Sequence, residues 1–382
     1  MLIYQAAITS VLFVLFLIVL WNLYLFRKKE IPKIPDSKLP LVSVLVPARN
    51  EEVNIENCIT SLLEQDYPNF EVIVLNDSSE DRTGDILKSI QQKYPGLKVI
   101  TGKPLIEGWT GKTYACKQLA EEAKGEWLLF TDADTTHKKS SLKKAMYIAL
   151  NRNADLLSLF PKNEMKTFSE KLMMPMLYFT SFVLLPHYFV DMKGFVKFGM
   201  AVGPFMLFKR SAYDKIGGHE SVKFSILEDV NIAKKIKEAG LQLVVADSRS
   251  QCTVRMYRNF KEIWNGFSKN IFAGFNYSAP MLFTIDVLYL LLFFLPFLFL
   301  VLYLISGSIA SPAAVLVTAQ VIILYLIRIL LSLKFRLGLI STLLHPLGAL
   351  LVPVIAFNSW RWIASGEGAK WKGRVYQIQI KQ

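Results

Sequence analysis

Residues 2–26 carry no charge and are almost wholly apolar. A run of that length crosses a bilayer as one helix and is too long for a signal-peptide core. Arg27-Lys28-Lys29 follow at once, and a basic cluster there places that end of the span in the cytoplasm. Ile31-Pro32-Lys33-Ile34-Pro35 reads as a short, stiff linker. From residue 40 short apolar runs alternate with amphipathic ones. Leu41–Val46 is a continuous β-rich run of the kind buried on both faces of a parallel sheet. Pro47-Ala48-Arg49-Asn50-Glu51-Glu52 ends it, and the spacing predicts a helix over Val53–Leu63. A second strand is expected over Phe70–Leu75, closed by Asn76-Asp77-Ser78-Ser79, with a helix over Thr83–Lys93. A strand over Leu97–Ile100, a helix over Thr113–Lys124 and a strand over Glu126–Thr131 complete the series. This alternation predicts an α/β fold with a parallel sheet and right-handed crossovers.

The pattern then changes. An apolar segment at 172–190 is broken by Pro175 and Pro186, which favours a helix lying on the membrane surface over one that crosses it. A mixed region follows through Gly203-Pro204 and Gly217-Gly218-His219, with a helix from about Asp229 to Ala239. Beyond residue 280 the chain is membrane-like again, with apolar runs near 281–305, 311–332 and 338–362. The last holds His345, Pro346 and Pro353 and either crosses or re-enters. The division expected is therefore an N-terminal transmembrane helix over 1–29, a cytoplasmic α/β domain over 40–275 with the interfacial helix 172–190 inside it, a C-terminal transmembrane region over 281–363, and a basic tail over 364–382.

Composition agrees with that division. Of the 382 residues 52% are hydrophobic, and Lys plus Arg outnumber Asp plus Glu by 44 to 31, a net charge of +13. The mean hydropathy is +0.33. The basic excess fits cytoplasmic flanks of membrane spans and anionic lipid. No stripe of interleaved basic and aromatic residues suggests nucleic acid as a partner. Cys58, Cys116 and Cys252 are scattered, which argues against a zinc site or a disulfide framework.

The candidate chemistry starts where the apolar run Leu128-Leu129-Phe130-Thr131 meets Asp132-Ala133-Asp134. Ligands collect at the carboxyl ends of strands in open α/β sheets. Two acids there, with no base between them, suit a divalent cation that bridges to a nucleotide diphosphate. The same residues also suit a plain strand-end turn.

Several motifs in order resemble membrane-bound family 2 glycosyltransferases over residues 41–275. Val46-Pro47-Ala48-Arg49-Asn50-Glu51-Glu52 is similar to that family's first strand-loop, which gives Pro47, Arg49 and Glu51 a place in the nucleotide pocket. Asn76-Asp77-Ser78-Ser79-Glu80-Asp81-Arg82-Thr83 resembles the acidic loop whose aspartate reads the uracil ring, here Asp77. Gly111-Lys112-Thr113-Tyr114-Ala115 resembles the segment whose lysine contacts the nucleotide, and Asp132-Ala133-Asp134 the metal motif. Glu228-Asp229 resembles the pair that carries the catalytic base. Gln251-Cys252-Thr253-Val254-Arg255-Met256 matches in part the Q-x-x-R-W motif of processive polysaccharide synthases, with Met256 in place of the tryptophan. Gly108-Trp109-Thr110-Gly111-Lys112, Arg255-Met256-Tyr257 and Trp371-Lys372-Gly373-Arg374-Val375-Tyr376 resemble the bacterial branch associated with carotenoid and hopanoid glycosylation.

The resemblance implies a GT-A-like (Rossmann-like) fold, a mixed and mainly parallel sheet flanked by helices, with one N-terminal and two to three C-terminal transmembrane helices. Asp134, assisted by Asp132, would hold Mg²⁺ or Mn²⁺ across the diphosphate of a UDP-sugar. Asp77 would accept a hydrogen bond from uracil, or else cap an Asx-turn. Lys112 would reach the phosphates, or else be a surface lysine. Asp229, or its neighbour Glu228, would take the acceptor's proton, the competing role being a favourable charge pair at a helix start. Arg255 would clamp the diphosphate, or else bind lipid headgroups. Trp109 and Tyr257 would shape the pocket or serve as core, and His187 and His219 are expected to be structural.

The expected activity is inverting sugar transfer to a lipid-like acceptor such as a carotenoid or hopanoid, at the cytoplasmic face of the cell membrane. Two rivals are a processive polysaccharide synthase, which lacks its aromatic acceptor platform here, and a membrane scaffold with a degenerate transferase domain, which has no need of four intact carboxylates. The sugar, the acceptor and the oligomeric state are left open.

Overall fold

The structure, a computed structural model, describes residues 1–27 and 31–377. Lys28 and Lys29 of the basic cluster, and residues 378–382 of the expected tail, lie outside the described residues. The chain folds into two compact units. One comprises Phe26–Glu164 and His187–Met256; the other comprises Met1–Leu25, Met165–Pro186 and Tyr257–Gln382.

The first unit is built on a seven-stranded sheet. Its strands are β1 (Val42–Ala48), β2 (Phe70–Asn76), β3 (Leu97–Thr101), β4 (Trp127–Phe130), β5 (Leu156–Phe160), β6 (Met206–Lys209) and β7 (Leu243–Asp247), in the order β3-β2-β1-β4-β6-β5-β7. All neighbours run parallel except β6, which is antiparallel to both β4 and β5. The mixed, mainly parallel sheet with flanking helices expected from the sequence is the fold that forms. β1 sits between β2 and β4, so Val42, Val44, Leu45 and Val46 are buried on both faces. Each such side chain contributes about 1.5–3 kcal/mol of burial, which is why the run is continuous rather than alternating. Ile55, Cys58, Ile59 and Leu62 of the helix Ile55–Leu63 pack into the same core.

Register decides where the loops fall. Ala48 pairs with Asn76, and the Thr131 N–H donates to the Leu45 carbonyl at 3.1 Å. The ends of β1, β2 and β4 therefore open on one edge, carrying residues 49–52, 77–82 and 131–134. β6 runs the other way, with Met206 opposite Phe130. The Gly203-Pro204 turn that precedes it is thus delivered to the same edge. The helix Gly111–Glu122 starts two residues before the expected Thr113, because Thr110 caps it by accepting from the Thr113 N–H. A small sheet of Thr135–His137, Cys252–Val254 and Lys162–Asn163 continues the chain beyond β4.

The second unit is helical. Leu2–Leu25, Pro312–Phe335 and His345–Ala364 are long and apolar enough to cross a membrane. The run near 281–305 is two helices, Ala279–Phe293 and Leu295–Ile305, rather than one. Pro296 lacks the N–H that would continue the ladder across the break. The apolar segment around Pro175 forms the helix Phe168–Leu184, started by a capping box of Thr167 and Glu170. Buried polar side chains tie these helices together. Asn22 donates to the carbonyls of Phe182 and Leu185 at 2.8 Å each, and Gln320 donates to the Gln5 carbonyl at 3.0 Å. The tail folds into a hairpin of Ala369–Trp371 and Arg374–Tyr376, with Lys269 4.1 Å above the Trp371 ring.

Candidate active site

The edge defined by β1, β2, β4 and the start of β6 gathers charge. Lys112, one residue inside its helix, places Nζ 2.6 Å from Asp132 Oδ1 and 2.8 Å from Glu228 Oε1. Burial lowers the proton affinity of this ammonium, but the carboxylates of Asp132 and Glu228 outweigh it and hold the group well above the usual lysine value. Asp229 is the second residue of the helix Glu228–Glu238, and both its oxygens accept backbone donors: Gly203 N–H at 3.0 Å and Val230 N–H at 2.8 Å. Burial, and then the Glu228 carboxylate beside it, push Asp229 up to about 6, against Lys112 and those two N–H groups.

Gly203 is the hinge of the arrangement. A Cβ there would stand 3.1 Å from Lys112 Nζ, 3.2 Å from Asp132 Oδ2 and 3.6 Å from Asp229 Oδ2. A side chain there would press on the first two, which would have to give by a few tenths of an ångström. Two carboxylate motifs about a hundred residues apart are brought into one cluster, with Asp132 from one and Glu228 and Asp229 from the other.

Asp134 is half-buried and turns back toward Thr135, whose Oγ1 lies 3.4 Å from its Oδ1. Asp134, Glu51 and Asp132 all stand near the buried Cys58. Burial first, then these three charges, raise its thiol well above the ordinary value. Arg255 follows Val254, which pairs with Thr135, so strand register brings it level with Asp134.

Arg49 and Asp77, both expected in the nucleotide pocket, are coupled to each other. Arg49 Nη1 donates to the carbonyls of Asp77 and Ser78 at 2.8 Å each, and Nη2 to Glu80 at 3.0 Å. Glu51 N–H donates to Thr83 Oγ1, Glu52 N–H to Asp81 and Asn50 N–H to Ser79. The two loops are sewn into one wall, and Asp77, 9% exposed, is set into it. Pro47 lies half-buried at the end of β1.

His137 is a site residue with little signal in the sequence. Thr131 Oγ1 gives its one proton to the Pro204 carbonyl at 2.7 Å, so the His137 Nε2 at 3.0 Å from that oxygen must carry hydrogen. Burial pushes His137 down to about 3, which keeps it neutral. It orients the Thr131 hydroxyl, which ties the end of β4 to the turn before β6, and its ring lies against Phe205. His219 is likewise neutral and structural, with Nδ1 2.8 Å from the Tyr213 hydroxyl. Trp109 leans on Tyr114 at 5.4 Å, whereas Tyr257 packs in the helical unit against Phe267.

The donor set fits a divalent cation. Two carboxylates two residues apart match what Mg²⁺ and related ions take from protein at nucleotide sites. Among the described residues no group of three or more His, Cys, Asp or Glu gathers for a metal. The rest of such a shell would come from diphosphate oxygens and water.

A sheet-edge cluster of this kind, with the acidic loops of β1 and β2 beside it, lies where open α/β sheets gather their ligands. Residues 43–217 match Glycosyl transferase family 2, a domain match that marks the chain as a transferase. It is similar to 4,4'-diaponeurosporenoate glycosyltransferase of Staphylococcus aureus strain USA300, at 27% identity over 362 residues and 89% of each chain. The likeness to the same enzyme of strain MRSA252 has the same extent. Among solved structures it resembles the mannosyltransferase PcManGT from Pyrobaculum calidifontis, in complex with GDP-Man and Mn2+. The TM-score is 0.55 at 18% identity, over 94% of this chain and 98% of that one. That likeness is one of fold.

Proposed function

We propose that this protein is a membrane-anchored, inverting glycosyltransferase that moves a sugar from a UDP-sugar to a lipid-like, carotenoid-class acceptor at the cytoplasmic face. The observation that carries the reading is the cluster at Gly203, where Asp132 of the D-x-D motif and the Glu228-Asp229 pair meet around Lys112. The acceptor class follows from the S. aureus relative, whose name states a carotenoid acid, and from the three helices apolar enough to cross a membrane.

Asp134 and Asp132 would hold Mg²⁺ or Mn²⁺, which when bound neutralises charge on the departing diphosphate. Asp77, buried in the wall that Arg49 braces, offers a carboxylate to the base of the nucleotide. Arg255 stands level with Asp134, where a guanidinium fork can bind phosphate oxygens. Between the two candidate bases the geometry favours Asp229. Glu228 is neutralised by Lys112, whereas Asp229 has its proton affinity raised to about 6, close to the working pH of a general base. Each Asp229 oxygen keeps a second lone pair beyond its backbone bond, so it can still take the proton of a hydroxyl acceptor, whereas a carboxylic acid acceptor, ionised at neutral pH, attacks without a base. One base and one displacement invert the anomeric centre.

The test is transfer by the purified protein in lipid discs with Mg²⁺ or Mn²⁺. UDP-hexoses and GDP-mannose are offered against a polyene acid and a polyene alcohol. Product with a UDP-sugar and inverted configuration by NMR supports the reading; product with GDP-mannose alone replaces the donor.

A further inference from the structure

Arg328 lies in the helix Pro312–Phe335, one of the three apolar enough to cross a membrane, and is 1% exposed. Its Nη1 donates to the Pro175 carbonyl at 3.2 Å and its Nη2 to the Ser341 carbonyl at 2.6 Å. Both acceptors are neutral, and among the described residues no carboxylate pairs with it. Among the same residues its Nε has no acceptor. Beside it, and again among the described residues, both ring nitrogens of the fully buried His345 and the hydroxyl of Thr342, 2% exposed, have no hydrogen-bond partner. The Phe179 ring links the group, 5.9 Å from the guanidinium carbon and 4.7 Å from the imidazole.

A buried guanidinium without a counter-charge is among the most costly groups a protein can hold, and more so in a helix facing lipid. Two neighbouring side chains with unspent hydrogen-bonding atoms, His345 and Thr342, repeat the same deficit. What they lack is an anion. We propose that Arg328, Thr342 and His345 form a binding site for the anionic head of an amphiphile, a carboxylate or phosphate carried on an apolar chain. The free Nε–H and the remaining Nη hydrogens offer a fork to two oxygens. Thr342 and His345 add donors, and Phe179 and Phe297, the latter 5.8 Å from His345, wall the first methylenes. All these residues belong to the helical unit, so the site does not depend on the catalytic reading. The head belongs either to an anionic phospholipid or to an acidic acceptor.

The test uses the full chain in discs of phosphatidylcholine alone, with phosphatidylglycerol, or with oleate, reading melting temperature and co-isolated lipid by native mass spectrometry. The wild type melts several degrees higher with one anionic amphiphile than without. Arg328→Met binds it roughly tenfold more weakly or worse. In phosphatidylcholine alone Arg328→Met melts no lower than wild type, because an uncompensated charge has gone. A response to oleate only assigns the site to an acidic acceptor; a response to phosphatidylglycerol only assigns it to phospholipid. Thr342→Val and His345→Phe cover the case in which Arg328→Met does not fold, and each weakens the response. No response in wild type, or an equal response in wild type and all foldable variants, overturns the proposal.

Discussion

Asp229 works against the fold at neutral pH, and a variant without its charge should gain stability on wild type as the pH rises. The carboxyl is raised from an ordinary 3.8 to about 6. Its proton is therefore held more tightly in the folded chain than in the unfolded one. Stability from this group is complete below about pH 4 and is lost as pH rises through about 6. At 1.36 kcal/mol for each pH unit, the ionised group costs about 3 kcal/mol at pH 8, of which roughly 2 kcal/mol develops between about pH 4.5 and 8. Asp229→Asn removes that dependence. It also turns an amide NH₂ toward either the Gly203 or the Val230 N–H, a loss of about 1–3 kcal/mol that does not change with pH. The difference between variant and wild type at two pH values cancels the static loss and leaves the titration. Denaturant unfolding in detergent with EDTA, at about pH 4.5 and about pH 8, should show Asp229→Asn gaining roughly 2 kcal/mol on wild type as pH rises. A gap that stays constant, or that moves against the variant, refutes the reasoning from burial and Glu228.

Other outcomes follow from single contacts. Gly203→Ala should keep the fold but press its Cβ on Lys112 Nζ and Asp132 Oδ2, lowering turnover roughly 10- to 100-fold in steady-state kinetics; unchanged turnover would separate this cluster from the chemistry. Arg49→Ala loses three hydrogen bonds that brace the Asp77 loop, so KM for the donor rises more than kcat falls, and Arg49→Lys does not restore it because an ammonium lacks the fork. Asp134→Asn, like EDTA on the wild type, should abolish transfer with melting temperature little changed; full activity in EDTA would end the metal proposal.

The parts of this molecule that were legible in the sequence are those written in local pattern. The unbroken apolar run at 41–46 could only be a doubly buried strand, and the alternation to residue 131 implied its parallel neighbours. Met206–Lys209 was not legible as the antiparallel strand of the same sheet, because its partners at 127–130 and 156–158 are distant in sequence and four residues carry no period. The closeness of Gly203 to both carboxylate motifs is a product of that pairing and was hidden with it. Lys112 pointed to phosphates on motif alone, and its ion pairs with Asp132 and Glu228 needed coordinates. A lone histidine such as His137 gives no sign that it orients the hydroxyl tying two loops. Likewise an arginine in an apolar run, Arg328, reads as a flaw in a span until its unpaired neighbours are seen around it.

In the proposed mechanism Asp229 takes a proton from a hydroxyl acceptor during sugar transfer. Donor affinity and single-turnover rate, measured on Asp229→Asn and Glu228→Gln with an alcohol acceptor and then with an acid one, test it most directly. With the alcohol, Asp229→Asn should bind the UDP-sugar as wild type does and transfer it on the order of 10²–10⁴ times more slowly. With the acid, already ionised at neutral pH, the defect should largely disappear. Normal transfer to the alcohol by Asp229→Asn, with loss in Glu228→Gln, would move the base one residue; normal transfer by both would contradict the account.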